Sequence, residues 1–308
     1  MDVQLEDWRS RGRSFDYLGF EVFYRQEGTG PGLLLIHGYP FSSFDWHPIW
    51  LALTERFTVI APDMLGMGFS AKPVEYEYSV HDHADMHEAL LRHLGVSECH
   101  VLAHDIGDSV AQELLSRYEE REAGSRPYAI SSITWLNGGM FIEAYRPRLI
   151  QTLTAKTPLG GLFAKYPRLF LADRVVRRAI NELFGPNTKP SDELWQQFSE
   201  IVDHNDGRRV THKVGRFIID RYHHRNRWVR AMRETSVPMR LIDGPCDPNS
   251  GRHMADRYSE LIPKPDVVLL GDDIGHWPQI EDPQGVLTHF LEFVEALAQQ
   301  PVSAATRT

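Results

Sequence analysis

The amino-acid sequence predicts an α/β fold: a mostly parallel sheet with helices on both faces and a helical cap inserted into it. Two observations carry that prediction. Short apolar runs, "PGLLLIHG", "FTVIAPD", "HVLAHD", "ISSITWLNG", "MRLIDGP" and "DVVLLGD", alternate with segments of helical periodicity. Continuous Val/Ile/Leu runs bounded by Gly and Pro suit strands buried on both faces, which means a parallel sheet covered by helices. The second observation is a change of character between Gly139 and Arg230, where 17 Lys+Arg face 9 Asp+Glu and the strand-like runs cease. That segment carries +8 in a chain of net charge −9. The expected division is a core formed by residues 1–138 and 231–308, with a helical cap over 139–230.

Taken in order, the first run leads into "HGYP" (His37 to Pro40), and "FTVIAPD" leads into "MLGMGFS". The glycines of the latter superficially resemble a phosphate loop, but no helix pattern opens there, so no nucleotide site is expected. Ser79 is a suitable N-cap for "VHDHADMHEALLRH", and Gly95 closes that helix after a basic last turn. "HVLAHDIGDSVAQELL" reads as a strand that breaks at His104–Gly107 and restarts as a helix. After "ISSITWLNG" come "YRPRLIQTLTAKTPLGGLFAKYPRLFLADRVVRRAINELFG" and "SDELWQQFSEIVDH", whose spacing is helical only; "MRLIDGP" and "DVVLLGD" then resume the core. "PVSAATRT" has the composition of a frayed tail.

Composition excludes several classes. A net charge of −9 argues against nucleic acid as the main partner, because a phosphate-binding surface needs a basic footprint. No run reaches the roughly 20 apolar residues of a membrane span, and "MDVQLEDWRSRG" lacks an apolar leader, so a cytoplasmic location is expected. Cys99 and Cys246 offer neither a disulfide framework nor metal-ligand spacing, and both read as buried small hydrophobes. No metal or cofactor is expected.

In open α/β sheets the chemistry gathers at the carboxyl ends of strands. Four groups fall there: "HGYP", Asp105, Asp247 in "GPCDP" and His276 in "GHWPQIEDP". Asp105 stands at the tip of a strand-to-helix elbow where serine esterases carry their serine, and nucleophile–acid–histidine is the chain order of α/β-hydrolases. Each residue has a plainer reading. Asp105 could cap the following helix, and Ser109 lies a helical turn beyond the elbow, where it packs or back-bonds. Asp243 competes with Asp247 but precedes "GP" inside the strand end. His37 reads as an organiser of its loop, His223 and His224 as solvated, and the basic excess of the cap as solvated surface.

"HGYPFSSFDW", "VIAPDMLGMGFSAKP", "AHDIGD", "GPCDP" and "GHWPQIEDP" resemble the epoxide hydrolase and haloalkane dehalogenase branch of the α/β-hydrolase family. "HDIGDSVAQELLSRY", "LNGGMFIEAYRP" and "RNRWVRAM" are most similar to its mesoderm-specific transcript protein subfamily. The resemblance implies an α/β-hydrolase fold and an Asp105 nucleophile that forms an alkyl ester. His276, polarised by Asp247, would activate water, and the backbone N–H groups of Tyr39 and Ile106 would hold the oxyanion. Dehalogenases of this kind place Trp after the nucleophile and Asn after "HG", or arginines just after the nucleophile; this chain has Ile106, Tyr39 and "DIGDSV". Epoxide hydrolases use two cap tyrosines, for which Tyr222 in "DRYHHRNRW" and Tyr166 in "GLFAKYPRLF" are the candidates. The cap also offers Tyr145, which follows "NGG" and could instead be a packing residue at the hinge. The resulting expectation is an epoxide hydrolase acting on a small apolar molecule. A haloalkane or haloacid dehalogenase is the first alternative, and a noncatalytic ligand-binding homologue is the alternative of another class.

Overall fold

The computed structural model describes residues 3–147 and 173–299. Eight strands form one sheet: β1 (Arg13–Tyr17), β2 (Phe20–Glu27), β3 (Gly32–Ile36), β4 (Thr58–Pro62), β5 (Glu98–Ala103), β6 (Ala129–Trp135), β7 (Met239–Asp243) and β8 (Val267–Leu269). Their order is β1-β2-β4-β3-β5-β6-β7-β8. From β4 to β8 every pairing is parallel, whereas β1–β2 and β2–β4 are antiparallel.

The apolar runs feed two cores because successive strand side chains point to opposite faces. Leu34, Ile36, Ile60, Val101, Ala103 and Ile133 join one cluster, while Leu33, Leu35, Val59, Ala61 and Leu102 join the other. On the first face lie α3 (Val80–His93), α4 (Ile106–Glu120) and, later in the chain, Arg252–Leu261. The second face is covered by α1 (Leu5–Ser10), α2 (His47–Thr54) and the last helix, Pro283–Ala298. Leu33, Leu34, Leu35 and Ile36 are wholly buried, each contributing about 1.5–3 kcal/mol of apolar burial.

Between β6 and β7 the described chain contains helices and no strand: α5 (Asp173–Asn181), α6 (Asp192–Asp203), α7 (Arg208–Val214) and α8 (Phe217–Glu234). The helix α8 runs past Arg230, the expected end of the inserted segment, because Val229, Ala231 and Met232 continue its buried face. Arg221 and Arg227 of this helix depart from the solvated-surface expectation, whereas Arg230, 61% exposed, keeps to it. Arg227 pairs with Glu113 and Glu120 of α4, and Trp228 Nε1 donates to Glu113 at 2.8 Å. These groups seat α8 on the core.

Ser79 does cap α3, its side chain accepting from Asp82 N–H. The β1–β2 hairpin was absent from the expected strands because its first strand alternates exposed and buried residues instead of forming an apolar run. Cys99 is buried but Cys246 is exposed, contrary to expectation. The loop after β7 turns Asp247 inward and Cys246 outward, with Cys246 N–H bonded to Ile274 O at 2.9 Å. No helix among the described residues is long and apolar enough to cross a membrane.

Candidate active site

The turn from β5 into α4 holds Asp105 at φ 52°, ψ −108°, a region that non-glycine residues rarely occupy. Hydrogen bonds fix that conformation from both sides: His104 N–H to Ile36 O at 3.0 Å, and Asp105 N–H to Asn137 O at 3.0 Å. Gly107 lets α4 approach β3, since a Cβ there would lie 2.3 Å from Ile36 O. The strained elbow thus lifts the Asp105 carboxylate over the end of the sheet.

Asp105 Oδ2 accepts from Tyr39 N–H at 3.1 Å. Ile106 is the first residue of α4, so its N–H has no acceptor within the helix and adds to the positive end of the helix dipole. The two expected oxyanion donors therefore belong to the loop after β3 and the start of α4. His37 organises the former: Nδ1–H donates to Gly38 O at 2.8 Å, and Nε2 accepts from Met64 N–H at 3.0 Å. Burial lowers its pKa to about 4, which keeps it neutral.

His276 Nδ1 is 2.7 Å from Asp247 Oδ2. Asp247 is held in turn by Ser250 Oγ at 2.6 Å and Asn249 N–H at 2.8 Å. Burial raises the Asp247 pKa, but the charge and hydrogen bond of His276 and these donors bring it below the ordinary value. Asp243 is instead tied to Asn137 Nδ2 at 3.2 Å, and burial pushes its carboxyl well above the usual range. The neighbour of His276 is thus Asp247. His104 Nε2–H donates to His276 O at 2.7 Å, while His276 N–H donates to Leu183 O at 3.0 Å. The His276 loop is thereby clamped between the elbow and the helical insert.

Neither His104 nor the insert's main partner was identified from sequence. Arg221 of α8, its side chain 1% exposed, donates from Nη2 to Asp105 O at 2.8 Å and to Asp105 Oδ1 at 3.3 Å, and from Nε to Ser109 Oγ at 2.8 Å. The rings of Phe217 and Tyr145 flank its guanidinium at 4.6 and 5.0 Å. Burial raises the Asp105 pKa, but the charges of Arg221 and His276 and the Tyr39 N–H outweigh it and hold the carboxyl below its ordinary value. Ser109 accordingly serves Arg221 and stands apart from the elbow tip.

Tyr222 lies on a different face of α8 from its neighbour Arg221. Phe217, Ile218, Arg221 and Trp228 form the buried face of α8, whereas Tyr222, one residue and about 100° further round, is 50% exposed. Arg221 meets Asp105 from this helix, and the Tyr222 side chain is half-exposed. Tyr166 lies outside the described residues. Tyr145 is buried against Arg221, as a packing residue would be. Around His276, Trp277 stacks on Phe184 at 4.8 Å and joins Phe41, Leu183 and Phe198 in an apolar cluster. Among the described residues no group of three His, Cys, Asp or Glu could hold a metal ion.

A family model described as the alpha/beta hydrolase fold matches residues 31–283. The chain is 40% identical over 301 residues to the mesoderm-specific transcript homolog protein of Homo sapiens, covering 95% of this chain and 88% of that one. Among solved structures it is similar to the epoxide hydrolase CorEH, with TM-score 0.74, 22% identity, and 93% and 99% of the two chains covered. It is also similar to the haloalkane dehalogenase DbeA of Bradyrhizobium elkani USDA94, with TM-score 0.76, 20% identity, and coverage of 93% and 98%. At these identities the two structures speak to the fold.

Proposed function

Because the chain belongs to the α/β-hydrolase fold family, alongside the mesoderm-specific transcript proteins, we propose that it is a hydrolase with an aspartate nucleophile, acting through a covalent alkyl ester. The observation that carries this reading is the Asp105 carboxylate at the strained elbow, one oxygen accepting from Tyr39 N–H, in the same site as the Asp247–His276 pair. A desolvated carboxylate in that setting displaces a leaving group at saturated carbon. His276 then deprotonates a water that attacks the ester carbonyl. Residues 139–230 act as the cap, and the aromatic cluster of Phe41, Phe184 and Trp277 suits a small apolar substrate.

The electrophile we assign first is an epoxide, opened to a diol. The second reading is dehalogenation, favoured by one observation: α8 presents the N–H donors of Arg221 to Asp105, while the Tyr222 hydroxyl is on a half-exposed side chain. A departing alkoxide needs an acidic O–H, whereas a halide needs only donors of positive charge. Diol release from a panel of small epoxides, run beside halide release from haloalkanes without added metal or nucleotide, separates the two. His276→Gln with the better substrate should accumulate an adduct on the peptide containing Asp105, detected by mass spectrometry. An adduct on Ser109 would move the nucleophile. Absence of turnover across both panels would favour the noncatalytic ligand-binding reading.

A further inference from the structure

The two oxygens of the Asp105 carboxylate are held by different groups. Oδ2 accepts from Tyr39 N–H at 3.1 Å, and Oδ1 lies 3.3 Å from Arg221 Nη2. The Tyr39 N–H marks Oδ2 as the oxygen that stays on Asp105 as the carbonyl. Oδ1 is consequently the oxygen that attacks and becomes the bridging atom of the ester. Resting on the alkyl-ester reading above, we propose that Arg221 is a catalytic residue of the ester-hydrolysis half-reaction, stabilising Oδ1 as it departs with the product.

In that half-reaction His276 takes a proton from water as the water oxygen adds to Cγ of Asp105. The carbonyl electron pair moves onto Oδ2, which the Tyr39 and Ile106 N–H groups hold. On collapse of the intermediate the Cγ–Oδ1 bond breaks and its electron pair stays on Oδ1. The product alkoxide, carrying Oδ1, takes the proton from the His276 imidazolium. Asp105 is left with the water oxygen and releases its remaining proton; in the epoxide case this replaces the one consumed on the opened oxirane oxygen.

Negative charge on Oδ1 falls during the first half-reaction and grows during the second. A fixed cation beside Oδ1 therefore gives no acceleration to alkylation and accelerates ester cleavage, because only an interaction strengthened in the transition state raises a rate. Arg221 is built for a fixed role. Its Nη2 also donates to Asp105 O at 2.8 Å, Nε donates to Ser109 Oγ at 2.8 Å, and two aromatic rings flank the guanidinium. Gly139 leaves room for it, since a Cβ there would lie 2.3 Å from Arg221 Nη1. Nη1 is buried and has no hydrogen-bond partner among the described residues, where the side chain is held by the contacts of Nε and Nη2.

Single-turnover rapid-quench kinetics on the best epoxide of the panel, following ester by mass spectrometry and free product separately, tests the assignment. Arg221→Gln should slow ester hydrolysis by about 10²-fold while alkylation proceeds at least as fast as in wild type, so that ester accumulates. Arg221→Lys, which keeps the charge, should recover part of the loss, and Ser109→Ala should slow hydrolysis several-fold by loosening Nε. Equal slowing of both half-reactions by Arg221→Gln, or no build-up of ester, overturns the proposal. If Arg221→Gln fails to fold, Ser109→Ala decides: unchanged hydrolysis overturns it. His276→Gln is run alongside. Lack of an Asp105 adduct in that variant, or lack of any wild-type turnover, rejects the alkyl-ester reading itself; an adduct there without accumulation in Arg221→Gln rejects only the role of Arg221.

Discussion

Burial draws the His276 imidazolium toward deprotonation, but the Asp247 charge, their 2.7 Å hydrogen bond and the Asp105 charge outweigh it and raise the pKa to about 9. Alkylation of Asp105 removes one of those charges, so the imidazole becomes easier to deprotonate once the ester exists. The ester-hydrolysis rate should therefore rise with pH through an apparent pKa below about 9, measured by single turnover from pH 6 to 10; a flat profile would remove His276 as the base. The same raised pKa has a stability consequence of opposite sign. The folded value of about 9 exceeds the ordinary 6.5, so the contribution is fully present below 6.5 and is lost as pH rises through 9. Urea midpoints of wild type minus His276→Gln should accordingly fall from pH 6 to pH 9.5. The placing of Asp105, Asp247 and His276 after strands was legible in the sequence because Gly107 follows Asp105 by two residues, Pro248 follows Asp247 and Gly275 precedes His276, and the structure brings Asp247 and His276 into contact. Arg221 was not legible: choosing between Arg221 and its neighbour Tyr222 requires the rotation of α8 about its axis, which only packing determines.

At the scale of elements, the His276 loop is tied to the insert by one carboxylate. Glu281, at the end of the short helix Pro278–Glu281, accepts from Gly275 N–H and Trp277 N–H at 2.9 Å each, and from Gly185 N–H at 2.8 Å and the Thr188 hydroxyl. Gly275 and Trp277 bracket His276, whereas Gly185 and Thr188 follow α5. Glu281→Ala leaves those donors without their acceptor and should cost about 2–3 kcal/mol in urea unfolding, with kcat lowered by about tenfold because His276 loses its fixed aim. Glu281→Gln, which keeps one acceptor oxygen, should lie between. Wild-type stability and kcat in Glu281→Ala would show that the bridge is idle. The glutamate and its two local donors were visible in "GHWPQIEDP", but Gly185 and Thr188 lie more than 90 residues earlier in sequence, beyond the reach of any local pattern. The strands buried on both faces were legible for the opposite reason, since their local apolar runs suffice to identify them; the alternating β1 needs its hairpin partner to be recognised.

Across the whole molecule, the uneven charge has a mechanical role. The insert carries a basic excess, and α8 places Arg227 against Glu113, which is 1% exposed, and against Glu120, which is 46% exposed. The helix that these pairs seat on α4 also carries Arg221 to Asp105, about 9 Å away along its axis. Docking of the insert and alignment of the Asp105 site should therefore fail together. Arg227→Ala should cost about 1 kcal/mol, because Glu113 retains Arg117 as a partner and the Glu120 pair is exposed. Arg227→Glu should cost more, about 2–3 kcal/mol, by adding a carboxylate beside two others, and it should slow ester hydrolysis in the same preparation. In 1 M salt, where the Debye length is about 3 Å, the Glu120 part of the repulsion is screened and the buried Glu113 part is not. Salt should thus restore some but not all of both stability and hydrolysis rate. Recovery of stability without recovery of hydrolysis would separate the seating of α8 from the alignment of Arg221, and an unchanged hydrolysis rate in Arg227→Glu would show that the two are not coupled.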